Sequence, residues 1–381
     1  MNNKTNKNIL LIIILIIVVG AIYYLSSQKV SVGNIKPADL ADAPDTYIKN
    51  EEAIEQKKGK YSYAPELTGI EGYINTDESI TIGSLKGKVI LIDFWTYTCI
   101  NCIRTLPHLK NWHKKYEDDG LVIIGVHTPE FEFEKINENV VEAVKEYGLE
   151  YPIVQDNSYA TWSAFKNRYW PHKFLIDIDG FIRYDHIGEG SYEETEKVIQ
   201  ELLKERMERL GKGKLKEDLS KPGDVVSVEV GKIGTPELYF GYKFARQDIG
   251  NTPGIQPGQT VEYKLPSQIT KNIIYLGGTW KFNEDDAELI SEEGTLMLGY
   301  DAKIVNIVAG SDTSSTIEVL VNTNYLSESQ LGKDVEIVDK KSTVEIQEGK
   351  LYNIVDHKYE PGLLELRIKG KGFKINTFTF G

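Results

Sequence analysis

The tightest constraint on this chain is the apolar run Val89-Ile90-Leu91-Ile92-Asp93-Phe94-Trp95, followed closely by Cys99-Ile100-Asn101-Cys102 and then by a helical pattern. That order reads as buried strand, reactive turn, helix. The two cysteines are the only ones present. Cys99 falls at a helix N-terminus, where free backbone N–H groups and the macrodipole favour a thiolate. Such sites lower a cysteine pKa from ~8.5 to between ~3.5 and ~7.5. A two-residue loop is a poor brace, because the entropic benefit of a cross-link grows with loop length. The pair reads as dithiol chemistry.

Length and the N-terminus set the surroundings. With 381 residues, 41% of them hydrophobic, the chain has room for two ordinary domains. Lys4 and Lys7 precede an uncharged apolar run from Ile9 to Leu25. A bilayer takes about 20 residues, and Tyr23 and Tyr24 suit its interfacial belt. The same tyrosines and Leu25 do not suit a signal-peptide cleavage site. Residues 1–28 are expected as an uncleaved anchor that crosses the cell membrane once. The lysines keep its N-terminus cytoplasmic and put the rest of the chain outside. A net charge of −13 argues against nucleic acid as a partner.

Residues 29–60 are polar and read as a tether with one short helix. Residues 61–210 alternate strands and helices. Tyr73–Asn75 and Ser79–Ile82 suggest a hairpin, Lys88–Trp95 a central strand and Ile100–Tyr116 a helix. The strand Leu121–His127 and the helix Phe131–Tyr147 follow. Pro152–Gln155 is a short strand and Tyr159–Phe165 a short helix. Lys173–Asp177 and Phe181–His186 make a hairpin, and Glu193–Leu210 closes the unit as a helix. This is an α/β domain with a mixed sheet. Residues 211–223 are a Gly- and Lys-rich linker. Residues 224–381 carry short β-rich runs: Val225–Val230, Thr260–Leu265, Gly294–Tyr300, Ile304–Ala309, Thr316–Val321, Leu351–Val355, Leu363–Ile368 and Lys374–Phe380. Their rhythm indicates an all-β sandwich of jelly-roll type.

Four positions outside the cysteine pair carry the chemistry further. Asp93 sits within an apolar strand, where a carboxylate is expensive to bury and its pKa rises. From there it can exchange a proton with Cys102, which must deprotonate to resolve a mixed disulfide. Pro107 bends the helix after the cysteines. Trp170-Pro171 precedes a strand, and such a bond can be cis. Trp95 is expected beside the thiols as a shielding aromatic.

These spacings together resemble the thioredoxin superfamily: Asp93-Phe94-Trp95 its buried acid and tryptophan, Pro107 its helix-kinking proline, Pro171 its cis-proline. The segment Thr128–Tyr147 resembles the insertion of the TlpA/ResA branch, whose members are extracytoplasmic and membrane-tethered. Ala64-Pro65-Glu66-Leu67, Phe94 to Cys102, Gly125 to Phe131 and Asn167 to Pro171 look like the thioredoxin region of DipZ-type proteins. Residues 224–381 look like the carbohydrate-binding-module-like domain that accompanies it there.

The resemblance implies a thiol–disulfide oxidoreductase whose catalytic residues are Cys99, Cys102 and Asp93. Trp95, Trp170 and Pro171 would line the groove for the substrate backbone. It implies no cofactor or metal beyond the redox-active Cys99–Cys102 pair. The expected partners are proteins with thiols or disulfides, apocytochrome c among them, and a membrane reductant of the CcdA/DsbD kind. One anchor is expected in place of the multi-span electron-transfer domain that some DipZ proteins carry. Two departures bear on the redox potential: Ile100-Asn101 replaces the Gly-Pro of ordinary thioredoxins, and Thr98 replaces their preceding tryptophan.

Rival readings use the same residues. Zinc would need two further ligands beside the cysteines, and the only close candidates, His108 and His113, stand at a spacing too short for a finger loop. A thiol peroxidase of the peroxiredoxin type would place proline seven residues before its reactive cysteine, where this chain has Ile92. His127 and Glu130, beside Pro129, read as a solvated loop with a satisfied histidine. Tyr239, Tyr242, Tyr275, Trp280 and Tyr300 could stack on cell-surface carbohydrate, provided that they lie together, exposed, in a concave patch.

Overall fold

The computed structural model describes residues 50–211 and 229–381, with 215, 218–223 and 225 between them. The expected anchor 1–28 and residues 29–49 of the tether lie outside these. Among the described residues no helix is long and apolar enough to cross a membrane.

The first unit opens with helix α1 (Glu51–Lys58), capped by the Asn50 side chain. Lys57 ties it down, reaching Asp177 at 2.8 Å and Asp179 at 2.7 Å and also pairing with Glu205. Residues 50–58 are thus docked on the α/β unit rather than forming the end of a free tether.

Strands β1 (Gly72–Ile74), β2 (Val89–Trp95), β3 (Leu121–His127), β4 (Ile153–Gln155), β5 (His172–Ile176) and β6 (Ile182–Ile187) form one sheet, in the order β1-β4-β3-β2-β5-β6. β2, β3 and β4 run parallel, whereas β1, β5 and β6 pair antiparallel with their neighbours. β2 is buried along its whole length, which is why its sequence is apolar throughout. Its alternate residues feed two cores. Val89, Leu91 and Trp95 pack under helix α2 (Ile100–Tyr116), α3 (Asn137–Glu146) and α5 (Tyr192–Arg209). Ile90, Ile92 and Phe94 face Ile80, Ile82, Leu85 and Phe165. Phe165 follows the short helix α4 (Ala160–Ala164).

Two local expectations are corrected. The Tyr73–Ile82 hairpin does not form. β1 pairs instead with β4, Ile74 opposite Ile153, and Ile80 and Ile82 are core residues without a strand. The helix expected over Phe131–Tyr147 is broken at Ile136 into a 3₁₀ turn (Glu132–Lys135) and α3.

The second unit is all-β. Its strands join one antiparallel sheet of 11 strands, curled around a single core that contains Trp280, Phe282, Leu298, Tyr300, Phe373 and Phe378. Where short strands were expected, two are long, Glu293–Ser311 and Lys350–Lys369, which pair along their length and bend at a register shift between Ala302 and Ile304. Most of the expected strand Val225–Val230 lies outside the described residues. The β-unit packs on the first unit through Phe131, Val308 and Leu351, with Ile100, Ile103, Phe133 and Tyr239 against them.

Candidate functional site

Helix α2 begins at Ile100, so Cys99 is its N-cap: its backbone is extended and its Sγ accepts from the Cys102 N–H at 3.2 Å. The first-turn N–H groups and the helix dipole meet at this sulfur. Cys102 lies one turn on, 1% exposed, with its thiol 2.6 Å from Cys99 Sγ; both cysteines are free. Burial, chiefly, and the Cys99 sulfur push the Cys102 thiol well above its usual range. Geometry therefore divides the pair into one reachable sulfur and one sheltered, protonated sulfur. Pro107 lies inside α2, as expected.

Strand alternation puts Asp93 on the face of β2 that α2 covers. It is 1% exposed, and among the described residues its Oδ1 finds no hydrogen-bond partner. Burial raises its pKa to about 7 against the opposing pull of Lys173. Lys173 is its register partner on β5, fully buried, with its ammonium donating to Gly188 O at 3.0 Å. Burial pushes the Lys173 ammonium down, while Asp93 and Cys102 pull it back up. Sequence reasoning passed over Lys173, because a lysine opening a strand reads as a solvated end.

The Trp170–Pro171 bond is cis. Pro171 is buried and Trp170 half-buried; the indole donates to Thr128 O at 3.0 Å and leans on Trp162 at 4.3 Å between ring centroids. Trp95, expected in the same groove, is 1% exposed and set edge-on to His127 in the core. The inward face of β2 leaves it no path to the surface. Its ring occupies space that Gly125 vacates on β3, where an added Cβ would come within 2.9 Å of the indole nitrogen.

The loop after β3 is buried rather than solvated. His127 is fully enclosed, with Nε2 3.3 Å from Thr96 Oγ1, and burial drives its pKa down to about 3. Glu134 is also fully enclosed and accepts from the Thr98 hydroxyl and from the Glu130 and Phe131 N–H groups. It thereby clamps the residue before Cys99 to this loop. Glu130 meets the β-unit, where the Tyr239 hydroxyl lies 2.9 Å from its Oε1. No local pattern marks Glu134, and Tyr239 was expected to stack on sugar rather than to meet this loop.

A cleft of about 910 Å³ opens between the two units beside α2, lined among others by Ile100, Ile103, Pro107, Tyr147, Asp334 and Leu351. The aromatics considered for sugar stacking do not form an exposed patch. Trp280, Tyr300 and Tyr275 are core residues and Tyr239 faces Glu130, which leaves Tyr242 alone in solvent. The carbohydrate reading loses the feature it rested on.

A dithiol capping the helix after the central strand, a buried acid beneath it and a cis-proline loop beside it define a thioredoxin-like domain. Residues 63–185 match the AhpC/TSA family model, and residues 235–381 match the model of a thioredoxin-like C-terminal domain. The thiol–disulfide oxidoreductase YkuV of Bacillus subtilis is 31% identical over 142 residues, covering 37% of this chain and 94% of the relative. ResA of Halalkalibacterium halodurans, also a thiol–disulfide oxidoreductase, is 34% identical over 127 residues, 33% of this chain and 69% of the relative. The protein DipZ of Mycobacterium bovis is 38% identical over 258 residues, 67% of this chain but 36% of DipZ, so the chain spans about a third of that relative. The chain belongs to the thioredoxin-like family of thiol–disulfide oxidoreductases that includes YkuV and ResA.

Proposed function

We propose that this protein is a membrane-anchored, extracytoplasmic thiol–disulfide oxidoreductase that reduces disulfides of exported proteins. The observation that carries the reading is the Cys99 sulfur at the start of α2, bonded by the Cys102 N–H, with Cys102 buried behind it and Asp93 enclosed on the same core face. Cys99 attacks a substrate disulfide as a thiolate, forming one S–S bond and releasing one substrate thiolate. Cys102 then attacks Cys99 Sγ, frees the second substrate thiol and leaves the Cys99–Cys102 disulfide; Asp93 takes the Cys102 proton. Trp170 and Pro171 hold the substrate backbone beside Cys99. A membrane reductant of the CcdA/DsbD kind restores the dithiol, which is the only redox group required. The uncharged apolar run from Ile9 to Leu25 behind Lys4 and Lys7 supports an exported setting, and apocytochrome c is one substrate to try.

Insulin reduction by the full chain tests the reading. Cys99→Ser should abolish turnover, and Cys102→Ser should accumulate a mixed disulfide with substrate. Undiminished turnover in either variant would sink the assignment. The reduction potential of the pair sets direction: a value near ~−270 mV marks a reductant and one near ~−120 mV an oxidant.

A further inference from the structure

The junction of the two units holds a hydrogen-bond arrangement that the dithiol reading leaves unused. The Tyr239 hydroxyl lies between two carboxyls, 2.9 Å from Glu130 Oε1 and 3.4 Å from Glu237 Oε2. One phenol hydrogen serves one of them, and the shorter contact gives it to Glu130. Next door, burial pushes the Glu134 carboxyl up, against the pull of the three hydrogen bonds it accepts from Thr98 and from the Glu130 and Phe131 N–H groups. Glu130 accepts the Tyr239 hydroxyl and has a buried carboxyl beside it, so its ionised form leans on that one bond.

This arrangement sits against the redox pair. Thr98 immediately precedes Cys99, and Ile100 and Ile103 pack with Tyr239 against Phe131, Val308 and Leu351. Tyr239 itself is within electrostatic reach of Cys99. We propose that Tyr239 is a positioning residue of the redox centre: through its hydroxyl the β-unit holds Glu130 near Cys99 and sets the charge that the Cys99 sulfur meets. The inference rests on the thiol–disulfide reading above, and it makes the second unit a working part of the site.

The groups facing Glu130 are Glu134, Tyr159, Tyr239, Glu237 and Arg246, and Glu237 in turn meets Arg104. Burial and Glu134 push Glu130 up to about 8, while the Tyr239 bond and Arg246 hold it back. A neutral Glu130 leaves the Cys99 thiolate undisturbed, whereas an ionised one opposes it. Losing the tyrosine hydroxyl keeps Glu130 neutral to higher pH.

The experiment is the rate of Cys99 alkylation by iodoacetamide in the reduced full chain, followed from about pH 5 to pH 10, with the modified cysteine confirmed by mass spectrometry. The wild-type profile should carry a second inflection from Glu130 besides that of the thiol. Tyr239→Phe should move this inflection to higher pH, with alkylation at alkaline pH about two- to five-fold faster than wild type until Glu130 ionises. Glu130→Gln should remove the inflection. Superimposable profiles for wild type and both variants would overturn the proposal. If Tyr239→Phe loses its cooperative melt, Glu130→Gln decides alone, and an unchanged profile overturns it. A wild-type chain inert toward insulin would instead overturn the thiol–disulfide reading, while the alkylation profiles still report on Tyr239.

Discussion

Asp93 and Lys173 face one another across the β2–β5 ladder as register partners, both closed off from solvent. A buried acid and a buried base in that relation leave one mobile proton between neutral and ion-paired states. Cys102 lies in the same core and adds a third group to the set. Removal of the Cys102 proton is the step in which such a set can act.

The cost of burying Asp93 should appear as pH-dependent stability. Its folded pKa, about 7, lies above an unfolded value of ~3.9, so between those limits the folded chain keeps a proton that the unfolded chain has lost. Stability contributed by this group therefore falls as pH rises through that window, by about 4 kcal/mol in all. Asp93→Asn should lack this decline. Urea unfolding of both proteins at acid and at mildly alkaline pH measures the difference, and parallel pH dependences would refute the assignment.

Lys173→Met should act on resolution rather than on attack. Without the ammonium, Asp93 loses the charge that holds its pKa down, and the Cys102 thiolate loses a favourable neighbour. A loss of roughly 1.4 kcal/mol slows a step about ten-fold. The decay of a preformed mixed disulfide between Cys99 and a coloured aromatic thiol should slow by that order at neutral pH. Alkylation of Cys99 should change much less. Equal slowing of both would place Lys173 elsewhere in the reaction.

What the sequence disclosed follows physical range. β2 and α2 were legible because a continuous apolar run and a helix-start dithiol are local signals, and Asp93 stood out as the one charge in that run. Lys173 did not, because its burial depends on β5 pairing inside the sheet rather than at an edge. The Glu130–Tyr239 contact joins positions 109 residues apart, so nothing near either residue announces it. β1 misled because a turn at Thr76-Asp77-Glu78 signals a hairpin, while the pairing with β4 wins by burying Ile74 against the core. In the second unit Pro361 and Gly362 read as a strand break before Leu363, yet they lie within a long strand whose ladder continues past them.

Glu134 should behave as a structural clamp. Glu134→Ala leaves the Thr98 hydroxyl and the Glu130 and Phe131 N–H groups without their acceptor in a closed site. Leaving buried donors unpaired costs about 1–3 kcal/mol for each of them. Glu134→Gln keeps one acceptor oxygen and should lose less, about 1–3 kcal/mol. Denaturant midpoints of the three proteins give the ranking, and a glutamine variant as unstable as the alanine one would show that the clamp is not a hydrogen-bond effect.

The junction itself can be tested without touching the redox residues. Phe131 is 1% exposed and packs on Val308 and Leu351, so Phe131→Ala should cost about 3–5 kcal/mol of coupling between the units. Gly349 offers a second route, because an added Cβ would lie 2.7 Å from the Phe133 ring. The glycine is needed there for space, where the β-unit closes on the 3₁₀ turn and accepts the Tyr97 hydroxyl at 3.2 Å. Calorimetry of wild type should show the two units melting together. Gly349→Ala and Phe131→Ala should separate the transitions, and the separation should accompany an altered pH profile of Cys99 alkylation, because Tyr239 then leaves Glu130. Separated melts with an unaltered profile would mean that the β-unit is a passenger at the redox centre.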